Sequence, residues 1–148
     1  CYDCLKVYRN MNYHSLLDWR LGLGMMRVLN DPNYVCGTDG NFSDYIELSS
    51  WLQFATELRN SFGQSFGLSH SNEINRLPVL LSGRNQKNVI MIVHPFWDLR
   101  NIREANWLAE TKAEIEEYTS SRNGTLSIID TFNLHRRPGW CYEKLVNR

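Results

Sequence analysis

What this sequence lacks narrows it first. It has no net charge: sixteen Lys and Arg stand against sixteen Asp and Glu, so the chain is no electrostatic magnet for nucleic acid, and any such contact must be a local patch. No apolar run approaches the roughly 18 residues that suggest a membrane span, and no signal peptide is visible. A Gly-rich phosphate loop, a Ser nucleophile elbow, a His-x-Lys pair and a Cys–His pair on adjoining predicted elements are all missing, and with them the commonest catalytic signatures. Internal repeats and low-complexity segments are missing as well.

Cysteine is scarce, at four residues in 148. Cys1 and Cys4 form a Cys-x-x-Cys pair, the spacing at which two thiolates reach one tetrahedral Zn²⁺ from a tight turn. A closed site needs two more ligands, and Cys36 and Cys141 stand alone and far from each other. The second pair is therefore expected upstream of residue 1, which makes the chain a piece of a longer one. An open alternative is a secreted domain with two disulfides, for which Asn41-Phe42-Ser43 and Asn123-Gly124-Thr125 would be glycosylation sites. A Cys1–Cys4 bond would close a strained small loop, which favours reduced thiols. With 43% hydrophobic residues, the length suffices for one domain with its own core.

The run of Cys1, Cys4, Leu5, Tyr8, Asn10, His14, Leu17, Asp18, Trp19 and Arg20 resembles the zinc-binding (MZB) domain that follows the motor domains of Mrf/YprA-type DEAD/DEAH-box helicases. The likeness covers residues 1–29. It implies a structural Zn²⁺ held by four cysteines, of which Cys1 and Cys4 match the last two, with His14 near the metal but outside its shell. It further implies the C-terminal region of a superfamily 2 ATP-dependent DNA helicase, cytoplasmic, bacterial or archaeal, acting in DNA repair or anti-phage defence. ATP and Mg²⁺ would belong to the parent motor. DNA, the rest of the helicase and a repair or defence protein would be the partners.

Along the chain, Tyr13–Leu29 reads as a helix apolar over more than half its circumference, hence central, with Gly22 and Gly24 marking a close approach by another element. Pro32 ends it. Residues 34–49 read as a loop. Ser49 or Ser50 then caps a helix whose Trp51, Phe54, Leu58 and Phe62 make a buried stripe. After a polar stretch over 69–76, the runs Leu77–Leu81 and Val89–Val93 predict an antiparallel hairpin, the second run a central strand because it is apolar on both faces. A helix over 103–119, a third strand over Leu126–Asp130 parallel to its neighbour, and a last helix opened by Pro138 complete the chain. The expected architecture is α+β: a zinc knuckle and long helix over 1–33, a loop and amphipathic helix over 34–76, and a small mixed-sheet ββαβα unit over 77–148.

Two groups of residues could carry chemistry. Ligands of open α/β sheets bind outside the carboxyl ends of the strands, so His94, Asp98, Asp130, His135, Arg136 and Arg137 are expected to converge there. The blander reading has His94-Pro95 fixing a strand exit and Asp98 capping a turn. The element order also resembles restriction-endonuclease-like folds, which need an acidic residue and a Glu-x-Lys on adjacent strands to hold Mg²⁺. Glu110-Thr111-Lys112 has those letters on a predicted helix. The expected function is therefore a non-catalytic module that docks DNA or a partner through Arg136 and Arg137. The alternative is a degenerate or divergent metal-dependent nuclease using His94, Asp98 and Asp130. The tryptophans read as core rather than as base-stacking platforms.

Overall fold

In a computed structural model, residues 17–68, 70–100 and 106–146 are described. Cys1, Cys4 and His14 lie outside them, as does the expected start of the first helix. The chain is α+β, built on a four-stranded mixed sheet.

Helix α1 spans Trp19–Asn30, with the Asp18 side chain accepting from the Arg20 amide at its start. It ends at Asp31, whose extended backbone is what the following proline demands. The expectation that this helix is central is overturned. Of its residues only Gly24 is buried, while Met25, Met26, Val28 and Leu29 are exposed, Leu29 to 82%. An apolar circumference shows what a helix can bury; which face is covered depends on what packs against it. Gly24 does mark a close approach, since a Cβ there would sit 3.2 Å from the Phe96 ring, whereas Gly22 faces open space.

Residues 31–45 form a loop held by buried Tyr34, Cys36 and Phe42. Helix α2, Ile46–Ser65, starts earlier than the two serines suggested and has no side-chain cap. Its first turn is fixed instead by burial of Glu47 and Leu48, a tertiary anchor that capping rules do not see. The buried stripe is Trp51, Ala55, Arg59 and Phe62, with Phe54 and Leu58 half-buried beside it.

The sheet runs β1–β2–β3–β4 in space. Strand β1, His70–Ile74, falls in the stretch expected to be merely polar; it pairs antiparallel with β2, Leu77–Ser82. Asn75 and Arg76 both have positive φ (48° and 69°), the backbone of a two-residue hairpin turn whose twist suits the strands. Strand β3, Asn88–Val93, pairs antiparallel with β2 and parallel with β4, Leu126–Asp130. Val89 to Val93 are all buried. Because side chains alternate, both faces of the sheet must be covered at β3. Helix α2 packs against the face carrying Leu80, where a Cβ on Gly63 would stand 3.1 Å from that side chain. Helix α3, Trp107–Ser120, crosses between the parallel strands, burying Leu108, Thr111, Ile115 and Thr119 and exposing Glu110, Glu114, Glu116 and Glu117. It begins later than expected because Asn106 caps it, accepting from the Ala109 amide at 3.0 Å.

Two short helices close the chain: α4, Thr131–Arg136, which the sequence reading passed over, and α5, Pro138–Val146. One core joins Tyr34 to Cys141 through all four strands. Trp51, Trp97 and Trp107 sit in it or at its edge, and each indole N–H is bonded, to Thr131, to the Cys36 carbonyl and to the Asn75 carbonyl. Cys36 and Cys141 are buried free thiols. No helix among the described residues is long and apolar enough to cross a membrane.

Candidate functional site

The residues expected to meet at the carboxyl ends of the strands divide between two clefts. His94, Asp98 and Asp130 do share one, of about 420 Å³, at the ends of β3 and β4. His135 and Arg136 line another, on the far side of α4. Arg137 is exposed, its guanidinium 5.5 Å from the Trp140 ring.

At the strand ends each group already has an internal task. Asp130 caps α4, its carboxylate accepting from the Asn133 amide at 2.9 Å and the Asn133 side chain at 2.7 Å. Asp98 accepts from the Arg100 amide at 3.0 Å, the turn cap anticipated for it. His94 is 1% exposed, packed edge-on against Trp51, and its Nδ1 accepts from the Phe96 amide at 3.2 Å. Burial pushes its pKa down to about 4, against a smaller upward pull from Asp130. A neutral imidazole with an occupied nitrogen fixes the strand exit. Strands β2 and β3, LPVLLS and NVIMIV, carry no carboxylate, and Glu110-Thr111-Lys112 lies on α3 with Thr111 buried. The pattern a restriction-type metal site requires is thus missing from these strands.

Folding also produces a cysteine–histidine contact that sequence spacing did not show. Cys36 Sγ lies 3.6 Å from His94 Nδ1. A nucleophilic pair needs a thiolate beside a protonated or proton-accepting ring. Here burial, reinforced by the Glu47 charge against an opposing hydrogen bond from Tyr34, pushes the Cys36 thiol up to about 11. The shifts run opposite to those of a catalytic pair, so the contact is structural. Glu47 itself is 1% exposed and receives Arg27 and the Tyr34 hydroxyl on one oxygen, tying α1 to α2.

The second cleft, about 300 Å³, opens between the start of α1 and α4 and is lined by Asp18, Arg20, Phe54, Thr131, His135 and Arg136 among others. Arg20 lies 4.2 Å over the Phe54 ring and Arg136 4.2 Å over Phe132. In the sequence Arg20 stands out only as part of the N-terminal motif. The local signal for its role is Asp18-Trp19-Arg20, a cap followed by an aromatic and a cation, which by itself specifies no ligand.

Among the described residues no group of His, Cys, Asp and Glu could hold a metal ion. Cys36 and Cys141 occupy separate parts of the core and cannot complete a shell with each other. Comparison with protein-family models, curated proteins and solved structures gives no match for this chain.

Proposed function

We propose that this chain is a non-catalytic accessory module of a superfamily 2 ATP-dependent DNA helicase, in which Cys1 and Cys4 are two ligands of a structural Zn²⁺ and α1 docks against another part of the machine. The observation that carries the docking is the uncovered apolar side of α1: Met25, Met26, Val28 and Leu29, directly after the zinc-knuckle-like segment. A contiguous exposed apolar surface of this kind is characteristic of protein–protein interfaces. The internal engagement of His94, Asp98 and Asp130 supports a scaffold over a nuclease. In this reading Zn²⁺ contributes folding energy and ATP with Mg²⁺ stays with the motor.

The test uses the whole helicase with Met26→Glu and Leu29→Glu combined. Both side chains are exposed, so the melting temperature of this chain should hold while DNA unwinding and association with the motor fall together. Cys4→Ser should separately remove the zinc. Unchanged unwinding with the double variant sinks the docking role. Chelator-sensitive DNA cleavage by the chain that disappears in Asp98→Asn would restore the nuclease alternative.

A further inference from the structure

We infer that the cleft between the start of α1 and α4 is a binding site for a phosphoryl oxyanion, gripped by the guanidinium groups of Arg20 and Arg136. The inference rests on this cleft alone and stands whether or not α1 docks on a helicase.

Three guanidinium N–H groups are buried there without a partner among the described residues: Nε of Arg20, and Nε and Nη1 of Arg136. Buried donors on a cation are among the most costly groups to leave unmade, and here three gather on two side chains lining one cavity. Stacking on Phe54 and Phe132 fixes the planes of both guanidiniums, so the donors are held in place before a ligand arrives. The charge balance also leaves room for an anion. Among the described residues lining the cleft, Asp18 is the one carboxylate, and it accepts from Arg20 Nη1 at 3.1 Å and from the Arg20 amide at 3.0 Å, against two guanidiniums. Desolvation lowers the pKa of Arg136, with Asp18 only partly opposing it, which is the strain an incoming anion relieves.

The donor count selects the class of anion. A carboxylate is satisfied by a single arginine fork, and Asp18 already takes one guanidinium nitrogen of Arg20. Three free donors spread over two forks match an oxyanion with three terminal oxygens. About 300 Å³ exceeds what a phosphate alone fills, and the walls include Trp19, Phe54 and Phe132. The phosphoryl group can thus arrive as the free ion or at the end of a nucleic-acid strand.

The experiment is calorimetric titration of the intact chain with inorganic phosphate, with acetate, and with a short single-stranded DNA carrying or lacking a 5′-phosphate. Phosphate should bind and acetate should not. Arg136→Gln and Arg20→Gln should each weaken phosphate about tenfold or more, the scale of one charge-assisted contact. Arg136→Lys should recover only part of that loss, because it restores the charge without the fork. Asp18→Asn keeps a capping side chain and removes the competing charge, so it should tighten binding. Preference for the 5′-phosphorylated strand over phosphate, lost in the same variants, assigns the site to strand ends; equal binding assigns it to the free ion. The inference fails if phosphate gives no heat at millimolar concentration, if acetate binds as well, if folded Arg136→Gln and Arg20→Gln bind unchanged, or if Asp18→Asn weakens binding.

Discussion

Acidification should unfold this protein through one side chain more than any other, His94. Its imidazole is 1% exposed and held neutral, with a folded pKa of about 4 against an ordinary 6.5. At pH 7 the ring is neutral in both the folded and the unfolded chain, and it favours neither. Below 6.5 the unfolded chain takes up a proton that the folded chain refuses, so stability falls by about 1.4 kcal/mol for each pH unit down to the folded value. The interval from 6.5 to about 4 makes the total roughly 3 kcal/mol, a sizeable part of a small domain's stability. With urea slopes of about 1–3 kcal/mol per molar, the midpoint should drop by about 1–3 M across that window. His94→Gln keeps an acceptor for the Phe96 amide and cannot titrate, so its pH dependence should flatten whatever its midpoint at pH 7. The assay is urea unfolding at half-unit steps from pH 7 to 4 for both proteins. The difference between their slopes isolates the contribution of the ring. Parallel curves would show that His94 is not the group that stays neutral.

Two further expectations test the packing. Ile90→Ala and Ile92→Ala should each cost roughly 2–4 kcal/mol by denaturant unfolding, since both side chains are buried in β3 and leave cavities; losses under about 0.5 kcal/mol at both would reject its central place. Gly124→Ala should cost more than about 1 kcal/mol, because its Cβ would fall 1.8 Å from the Lys87 carbonyl oxygen, whereas Gly22→Ala on exposed α1, with nothing within 4 Å, should stabilise by about 0.5–1 kcal/mol; equal effects at the two glycines would contradict the turn geometry.

Periodicity made the centre of the fold legible. Val89–Val93 is apolar at every position, which only a strand covered on both faces tolerates, and the acidic series on α3 marked its wet side from sequence alone. The Pro32 boundary and the parallel pairing of β3 with β4 followed from equally local rules. What escaped depends on partners distant in the chain. Strand β1 is polar because it is an edge, and its identity as a strand comes from β2, not from its own letters. Helix α4 carries its own signal, Asp130 three residues before Asn133, but a strand ending in that same Asp130 hides it. The long apolar helix was misplaced for the opposite reason: its composition is strong, but composition cannot say whether Leu29 meets the core or a surface.

The candidate site turns on how completely each cleft's polar groups are satisfied. The rule that ligands gather at the carboxyl ends of parallel strands assumes a loop there with side chains to spare. In this chain β4 passes directly into α4, so Asp130 serves as the helix cap, and the β3 exit is fixed by His94 receiving the Phe96 amide. These bonds hold both groups as parts of the strand ends. The same helix carries Arg136, which lines the second cleft together with Arg20 from the beginning of α1. There the three donors hold no hydrogen bond among the described residues, so an oxyanion that reaches them displaces none. The helix cap thus engages Asp130 at the carboxyl end of the sheet, while Arg20 and Arg136 bring donors to spare to the second cleft.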